Sequence, residues 1–144
     1  LLANRTCQIA LLCAAVVAGC SKSDLEKVVV AGAVSYRGEP IQNGEILFYP
    51  TGDTRGPMSG ASIKDGHYEA IGKGGVPVGT HRVVIRGFRA AGGGTRTAAT
   101  AAKVGIEGGI REQYLPPKFN TESTLEVVID GSQSEATKDF QLTE

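Results

Sequence analysis

Tyr36, Arg37 and Gly38 place a phenol, a guanidinium and a glycine in succession, within the segment "VSYRGEPIQNGEILFYP". Tyr and Arg side chains can take part in catalysis. Gly38, Pro40 and the pair Asn43-Gly44 are instead residues that set backbone angles in turns. The same segment therefore allows a catalytic and an architectural interpretation.

The two histidines are the next candidates for chemistry. With four tyrosines in the chain, the inventory would allow an iron site built from two Tyr and two His, but His67 and His81 fall in different predicted elements. No Cys or His cluster has the spacing of metal ligands. A nucleophilic triad needs a base beside an activated Ser or Cys, and two histidines leave few options. We expect His67 to be a solvated hairpin residue and His81 a strand residue of unknown face, and we expect no cofactor.

Three acidic residues could form a calcium site. Asp53, Asp65 and Glu69 follow or flank predicted turns and could meet at one rim of the domain. Isolated acidic residues in turns are more often only solvated, so no metal site is predicted.

Short strands and turns position all of these residues. The strand signals, β-branched and aromatic residues in alternation, are bounded by Gly, Pro, Asn and Asp. Asp65-Gly66 is a strong hairpin signal. The predicted strands are residues 28–35, 45–50, 58–63, 68–72, 80–88, 123–130 and 136–142. Strands at this spacing predict an antiparallel β-sandwich.

The pattern fails in residues 90–113, which are rich in Gly, Ala and Thr. We expect a long flexible loop, and the alternative is that residues 97–104, "TAATAAKV", form one or two turns of marginal helix. Whether this loop binds anything is left open.

Length and charge limit the partners. A chain of 144 residues predicts one domain, and fifteen basic residues balance fifteen acidic ones without a long run of either sign. Nucleic acid is therefore not an expected partner.

The N-terminus resembles that of a bacterial lipoprotein. Arg5 precedes an apolar run that is too short to span a bilayer, and the run ends in "VAGC", which is similar to a lipobox. We predict a signal peptide over residues 1–19, lipidation of Cys20 and a polar tether over residues 20–27. Cys20 would be the one thiol of the mature chain, and acylation, including palmitate, would hold it in the membrane. The alternative is a plain secretory signal with a chance cysteine.

Residues 28–144 resemble the carboxypeptidase regulatory-like, transthyretin-like domain. The resemblance rests on "GAVSYRGEPIQNGEILFYP", "SIKDGHYEA", "VPVGTHRVVI" and "YLPPKFN", with His81 where the family usually has Tyr and Ser123-Thr124 where Gly is more usual. It implies an all-β, seven-stranded, antiparallel Greek-key β-sandwich. In the hydrolase branch of that family the Tyr-Arg-Gly triplet stands at the chain end, whereas here the end is "QLTE", so Tyr36-Arg37-Gly38 is interpreted as a turn.

The expected function is a lipid-anchored, exported β-sandwich protein of the bacterial cell envelope with a structural or binding role and no catalytic activity. The alternative is a carbohydrate- or peptide-binding module, and the remote alternative is a transthyretin-like hydrolase. The expected partners are the membrane, through the lipid on Cys20, and an unknown envelope protein or glycan.

Overall fold

The computed structural model describes residues 25–91 and 111–144 of the chain. These residues form an all-β domain whose mainly antiparallel sheet curls into a half-barrel. The strands are β1 (Lys27–Tyr36), β2 (Glu39–Pro40), β3 (Asn43–Pro50), β4 (Ser59–Lys64), β5 (His67–Ala70), β6 (Val76–Pro77), β7 (Gly79–Ala90), β8 (Arg111–Gln113), β9 (Glu126–Ile129), β10 (Glu135–Thr137) and β11 (Phe140–Leu142). Two short 3₁₀ turns, Gly72–Gly74 and Pro117–Phe119, interrupt the connections.

The strands follow the order β10-β1-β5-β4-β3-β7-β8, with β9 also on β7, and β2, β6 and β11 on β1. Strand β3 is flanked by β4 and β7 in long antiparallel registers. Strands β4 and β5 pair only through Lys64 and His67, next to their hairpin turn. The sheet therefore bends between β4 and β5.

Alternation along the strands creates the core. In β3, Ile46 and Phe48 are buried, while Leu47 and Tyr49, each of which follows one of them, are only half-buried. Burial of such apolar side chains contributes about 25 cal/mol per Å2 of area removed from water. The buried side chains come from both sides of the bend: Val28, Val30, Val34, Ile41, Ile46, Phe48, Ile63, Tyr68, Ala70, Val76, Val83, Ile85, Leu115, Phe119, Ile129 and Leu142.

The two predicted tight turns are confirmed. Arg37-Gly38 joins β1 to β2, and Asp65-Gly66 joins β4 to β5. All four residues have positive φ, between 50° and 85°. Positive φ at both central residues is the type I′ geometry that suits the twist of a hairpin.

The C-terminal segment differs from the predicted antiparallel arrangement. Residues 136–142 were expected as one strand, but Lys138 and Asp139 separate β10 from β11, and both strands run parallel to β1. The break is fixed by contacts: the Ala33 N–H donates to Asp139 Oδ1 (2.7 Å), and the Tyr68 hydroxyl donates to the Lys138 carbonyl (2.7 Å).

The predicted loop 90–113 is shorter at both ends. Ala90 belongs to β7, and Arg111–Gln113 form β8, which pairs antiparallel with residues 88–90. The remaining flexible-loop prediction lies outside the described residues, as do the signal peptide, Cys20 and most of the tether. Within the described residues, no helix has the length and apolar character needed to cross a bilayer.

Candidate binding cleft beside the β3–β4 loop

An open cleft of about 540 Å3 lies where the β3–β4 loop meets the start of β7. Six of its nine lining residues have polar or charged side chains: the lining consists of Thr51, Gly52, Asp53, Thr54, Arg55, Val78, Gly79, Thr80 and Glu126. Clefts with a few convergent polar groups are the usual form of ligand sites. This cleft is therefore the main candidate site in the described part of the chain.

Hydrogen bonds to Thr80 fix the cleft wall. The Thr51 N–H donates to the Thr80 carbonyl (3.0 Å), and the Thr51 hydroxyl donates to the same oxygen (3.2 Å). The Thr80 N–H donates in return to the Thr54 hydroxyl oxygen (2.8 Å). Since the Thr54 N–H also donates to the Thr51 carbonyl (3.2 Å), the loop is tied into one turn before any ligand arrives.

Gly79 allows this close approach. Its φ is +131°, and a Cβ at this position would overlap the Thr54 side chain. Any other residue would strain the backbone and push the loop away from β7. The glycine therefore sets the shape of the cleft.

Asp53, Arg55 and Glu126 supply the charges of the cleft. All three side chains are exposed, and no hydrogen bond or ion pair joins them to other described residues. Carboxylates accept hydrogen bonds and a guanidinium donates them, so the cleft offers both functions to a polar ligand. Its lining includes no His, Cys, Ser or Tyr, the side chains that most often act as base or nucleophile.

The triplet Tyr36-Arg37-Gly38 lies away from this cleft, in the β1–β2 turn. The Arg37 guanidinium forms an ion pair with Glu144 and lies 5.3 Å from the centre of the Tyr36 ring. The Arg37 N–H donates to the Leu142 carbonyl (2.9 Å). The Tyr36 ring in turn packs on Tyr114 and on the buried Phe119, at 6.4 and 6.0 Å between ring centres. The triplet thus ties the turn to the C-terminal strand and to the exit of the 90–113 segment.

The histidines lie apart, as expected. His67 is exposed at the start of β5, with Nδ1 2.9 Å from the Asp65 carbonyl oxygen. His81 is 0% exposed on the core face of β7, edge-on to Phe48, with Nδ1 3.2 Å from the Gly79 carbonyl oxygen. Its Nε2 has no partner among the described residues. Burial lowers the pKa of His81, although the Gly79 carbonyl acts in the opposite direction. His81 is therefore a neutral core residue at pH 7.

The three acidic residues considered for calcium are not brought together. Asp53 lies at the cleft, Asp65 lies in the β4–β5 turn, and Glu69 lies on β5 opposite Ala31. Among the described residues, no group of three His, Cys, Asp or Glu side chains is arranged to hold a metal ion.

The sequence identified the segment "TGDTRGP" as a loop but gave no sign of the cleft. The cleft depends on contacts of Thr51 and Thr54 with Thr80, which lies 29 and 26 residues further along the chain. The one local signal is Gly79, a glycine at the first position of the longest strand, β7. No protein-family model, curated protein or solved structure matches this chain.

Proposed function

We propose that this chain is a lipid-anchored protein of the bacterial cell envelope whose folded domain is a binding or structural module and not an enzyme. The observation that carries the binding role is the cleft at Thr51–Arg55. Hydrogen bonds to Thr80 hold its shape, and its charged side chains form no ion pair with other described residues. A preformed site limits the entropy lost on binding. A carbohydrate or an extended peptide, both rich in hydrogen-bonding groups, suits this lining.

The domain is proposed to be a seven-stranded Greek-key sandwich of the transthyretin-like type. The seven strands would be β1, β3, β4, β5, β7, β9 and the interrupted β10–β11. Phe48 on β3 supports this arrangement, since its ring centre lies 6.1 Å from that of Tyr68 on β5, across the bend of the sheet. Two parts of a bent sheet that pack their inner faces against each other form the layers of a sandwich.

The lipid anchor rests on "VAGC", residues 17–20, and on Cys20 as the one thiol that would follow cleavage. Two or more acyl chains hold a protein stably on a membrane, whereas one chain gives only marginal binding. Cys20→Ser should move the protein from the membrane pellet to the soluble fraction and remove the acyl mass from the N-terminal peptide. The anchor would be overturned if the Cys20→Ser variant stayed in the membrane pellet and the N-terminal peptide of the parent protein carried no acyl mass.

Ligand binding can be tested with glycan and peptide arrays. The double variant Asp53→Asn/Glu126→Gln removes both carboxylates from the cleft and should reduce capture at least about tenfold, because hydrogen bonds to charged groups contribute about 1.5 to 3 kcal/mol each. The control Glu122→Gln/Glu135→Gln removes two exposed carboxylates outside the cleft lining. Equal capture by the two double variants would place recognition elsewhere.

The hydrolase remains the opposing hypothesis. Turnover of 5-hydroxyisourate by the purified protein, lost in Arg37→Ala at unchanged stability, would replace the binding role with catalysis. The partners found for Arg37, an ion pair to Glu144 and the Tyr36 ring, support a structural role for this residue.

A further inference from the structure

Three large hydrophobic side chains are exposed among the described residues, and two of them, Met58 and Ile71, lie in the connections next to the start of the tether, whereas Val128 lies on β9 opposite Thr80. Met58 is 49% and Ile71 is 55% exposed. Met58 precedes β4, and Ile71 follows β5 and leads into the Gly72–Gly74 turn. Single exposed hydrophobic residues are common, so the neighbours of these two decide whether they form a surface.

Lysines accompany both side chains. Met58 lines a hollow of about 200 Å3 together with Lys27, Pro57, Ser59, Gly60, Gly72 and Lys73. The two charged residues of this lining, Lys27 and Lys73, are both cationic. The Lys27 ammonium donates to the Lys73 carbonyl (2.8 Å), which holds its side chain against the turn that follows Ile71. We call Lys27, Met58, Ile71 and Lys73 the tether-side face.

The backbone that carries Ile71 and Lys73 has an unusual and well-defined conformation. Lys73, Gly74 and Gly75 have successive φ values of 53°, 91° and 106°. A Cβ at Gly75 would overlap the Val28 carbonyl, and the Ser59 hydroxyl donates to the Gly75 carbonyl (3.1 Å). The turn is therefore pressed onto β1, and it leaves Ile71 and Lys73 exposed to solvent.

The tether reaches the domain at the same place. A Cβ at Gly56 would lie 3.4 Å from Leu25 Cδ1, so the first described residue is next to the loop that carries Met58. Leu25 follows Cys20 by five residues, and an extended chain of that length spans at most about 18 Å. An acyl group on Cys20 would hold this end of the domain close to the bilayer.

We propose that the tether-side face docks on the lipid surface in which Cys20 is anchored. This inference rests on the proposed acylation of Cys20, which supplies the proximity. Met58 and Ile71 enter the interface between headgroups and acyl chains, while the Lys27 and Lys73 ammonium groups contact lipid phosphates, as cations flanking apolar residues do at membranes.

Site-specific labels on the full chain test this docking. The parent carries Cys7→Ser and Cys13→Ser, and single cysteines replace Met58, Ile71 or, as the distal control, Lys118, whose ammonium lies against the Phe119 ring. Each cysteine receives an environment-sensitive fluorophore. The chain is reconstituted in phosphatidylethanolamine–phosphatidylglycerol vesicles that contain nitroxide lipids, and the parent without an added cysteine is the blank.

Labels at positions 58 and 71 should be quenched about twofold or more, and the label at position 118 hardly at all, because only the tether-side face enters the interface. Equal quenching at the three positions, or none, would overturn the docking. A shift in emission without quenching by lipid nitroxides would mean a protein contact, such as self-association, and would also overturn it. The acyl mass of the N-terminal peptide, measured on the same sample, tests the anchor separately.

A charge variant tests the role of the lysines. Lys27→Gln/Lys73→Gln should lower the ratio of docked to undocked protein by roughly fivefold per lysine on these anionic vesicles, and have little effect on phosphatidylcholine vesicles. Lys64→Gln/Lys118→Gln, which removes two exposed lysines at the β4–β5 hairpin and beside Phe119, is the matched control. The same ratio in both double variants would contradict the electrostatic part of the proposal.

Discussion

At the scale of single residues, backbone conformation decides what several glycines do. Gly38 and Gly72 both have open space where a Cβ would be built, with no atom within 4 Å. They differ in that Gly38 has a φ of +85°, whereas Gly72 is outside the left-handed region. The two positions therefore separate the cost of conformation from the cost of crowding.

Gly38→Ala should lower the free energy of unfolding by about 1 kcal/mol, because a Cβ is disfavoured at positive φ. Gly72→Ala, the matched control, should change it by less than about 0.5 kcal/mol. Urea denaturation of the two variants measures the difference. Equal effects would mean that the Arg37-Gly38 turn does not hold Gly38 in the left-handed region.

His81 should make the domain sensitive to acid. Burial lowers its pKa below the ordinary 6.5, so below pH 6.5 the unfolded chain binds the proton that the folded chain excludes. Stability is then lost as the pH falls through 6.5, by about 1.4 kcal/mol for each unit by which the pKa is lowered.

The free energy of unfolding, measured by denaturant at pH 7.5 and at pH 5, tests whether His81 causes this loss of stability in acid. His81→Leu removes the titrating group and the unpartnered Nε2, and its pH dependence should be flatter than that of the parent chain. His67→Gln, at the exposed histidine, is the control. A His81→Leu variant with the same loss of stability at pH 5 would show that other groups govern the acid response.

At the scale of elements, the structure separates what local sequence can specify from what it cannot. β3, β7 and the Asp65-Gly66 hairpin follow from alternation and from turn residues, which are local signals. β2, β6 and β8 have only two or three residues each, too few for a periodic pattern. The cleft was not predicted for a related reason, since Thr51 and Thr54 meet Thr80 only after β3 and β7 have paired.

The parallel pairing of β10 and β11 with β1 also depends on distant contacts. Gly32 in β1 lies against the Lys138–Asp139 break, where a Cβ would overlap the Lys138 carbonyl oxygen. No local pattern in the sequence identifies the segment that approaches Gly32. The C-terminal strand was therefore predicted in the right place but as part of an antiparallel arrangement, whereas β10 and β11 run parallel to β1.

Gly32→Ala should destabilise the domain by more than about 2 kcal/mol, because a backbone carbonyl cannot move aside as a flexible side chain can. Tyr68→Phe is a milder change at the contact between β1, β5 and the Lys138–Asp139 break. It removes only the hydroxyl donor to Lys138 and should cost about 1 kcal/mol. Denaturant unfolding gives both values. A Gly32→Ala variant as stable as the parent would mean that the Lys138–Asp139 segment does not lie against Gly32.

At the scale of the whole molecule, the two ends of the domain differ. The β3–β4 loop and the 71–78 connection, which carry the cleft and the tether-side face, lie at the end where β1 begins. The Arg37-Gly38 and Asp65-Gly66 turns and the β7–β8 pairing lie at the end where β1 stops. In the membrane-anchored chain that we propose, a ligand in the cleft would therefore be held near the bilayer.

The pairing at the distal end predicts that residues 92–109 can be removed. Ala90 lies opposite Arg111, and Arg89 forms an ion pair with Glu112 (2.6 Å), so β7 and β8 already have the geometry of a hairpin. Replacing residues 92–109 with a short Gly-Ser link shortens the loop to be closed and should raise the free energy of unfolding by about 1 kcal/mol.

Replacing residues 52–55 in the same way is the control, and it should destabilise the domain because it removes the Thr54 contact to Thr80. Denaturant unfolding compares the two, and a 92–109 deletion that costs more than about 2 kcal/mol would show that the segment packs on the folded domain. On the arrays, ligand capture that survives this deletion is expected if the cleft is the recognition site, whereas loss of capture in a stable variant would assign recognition to residues 92–109.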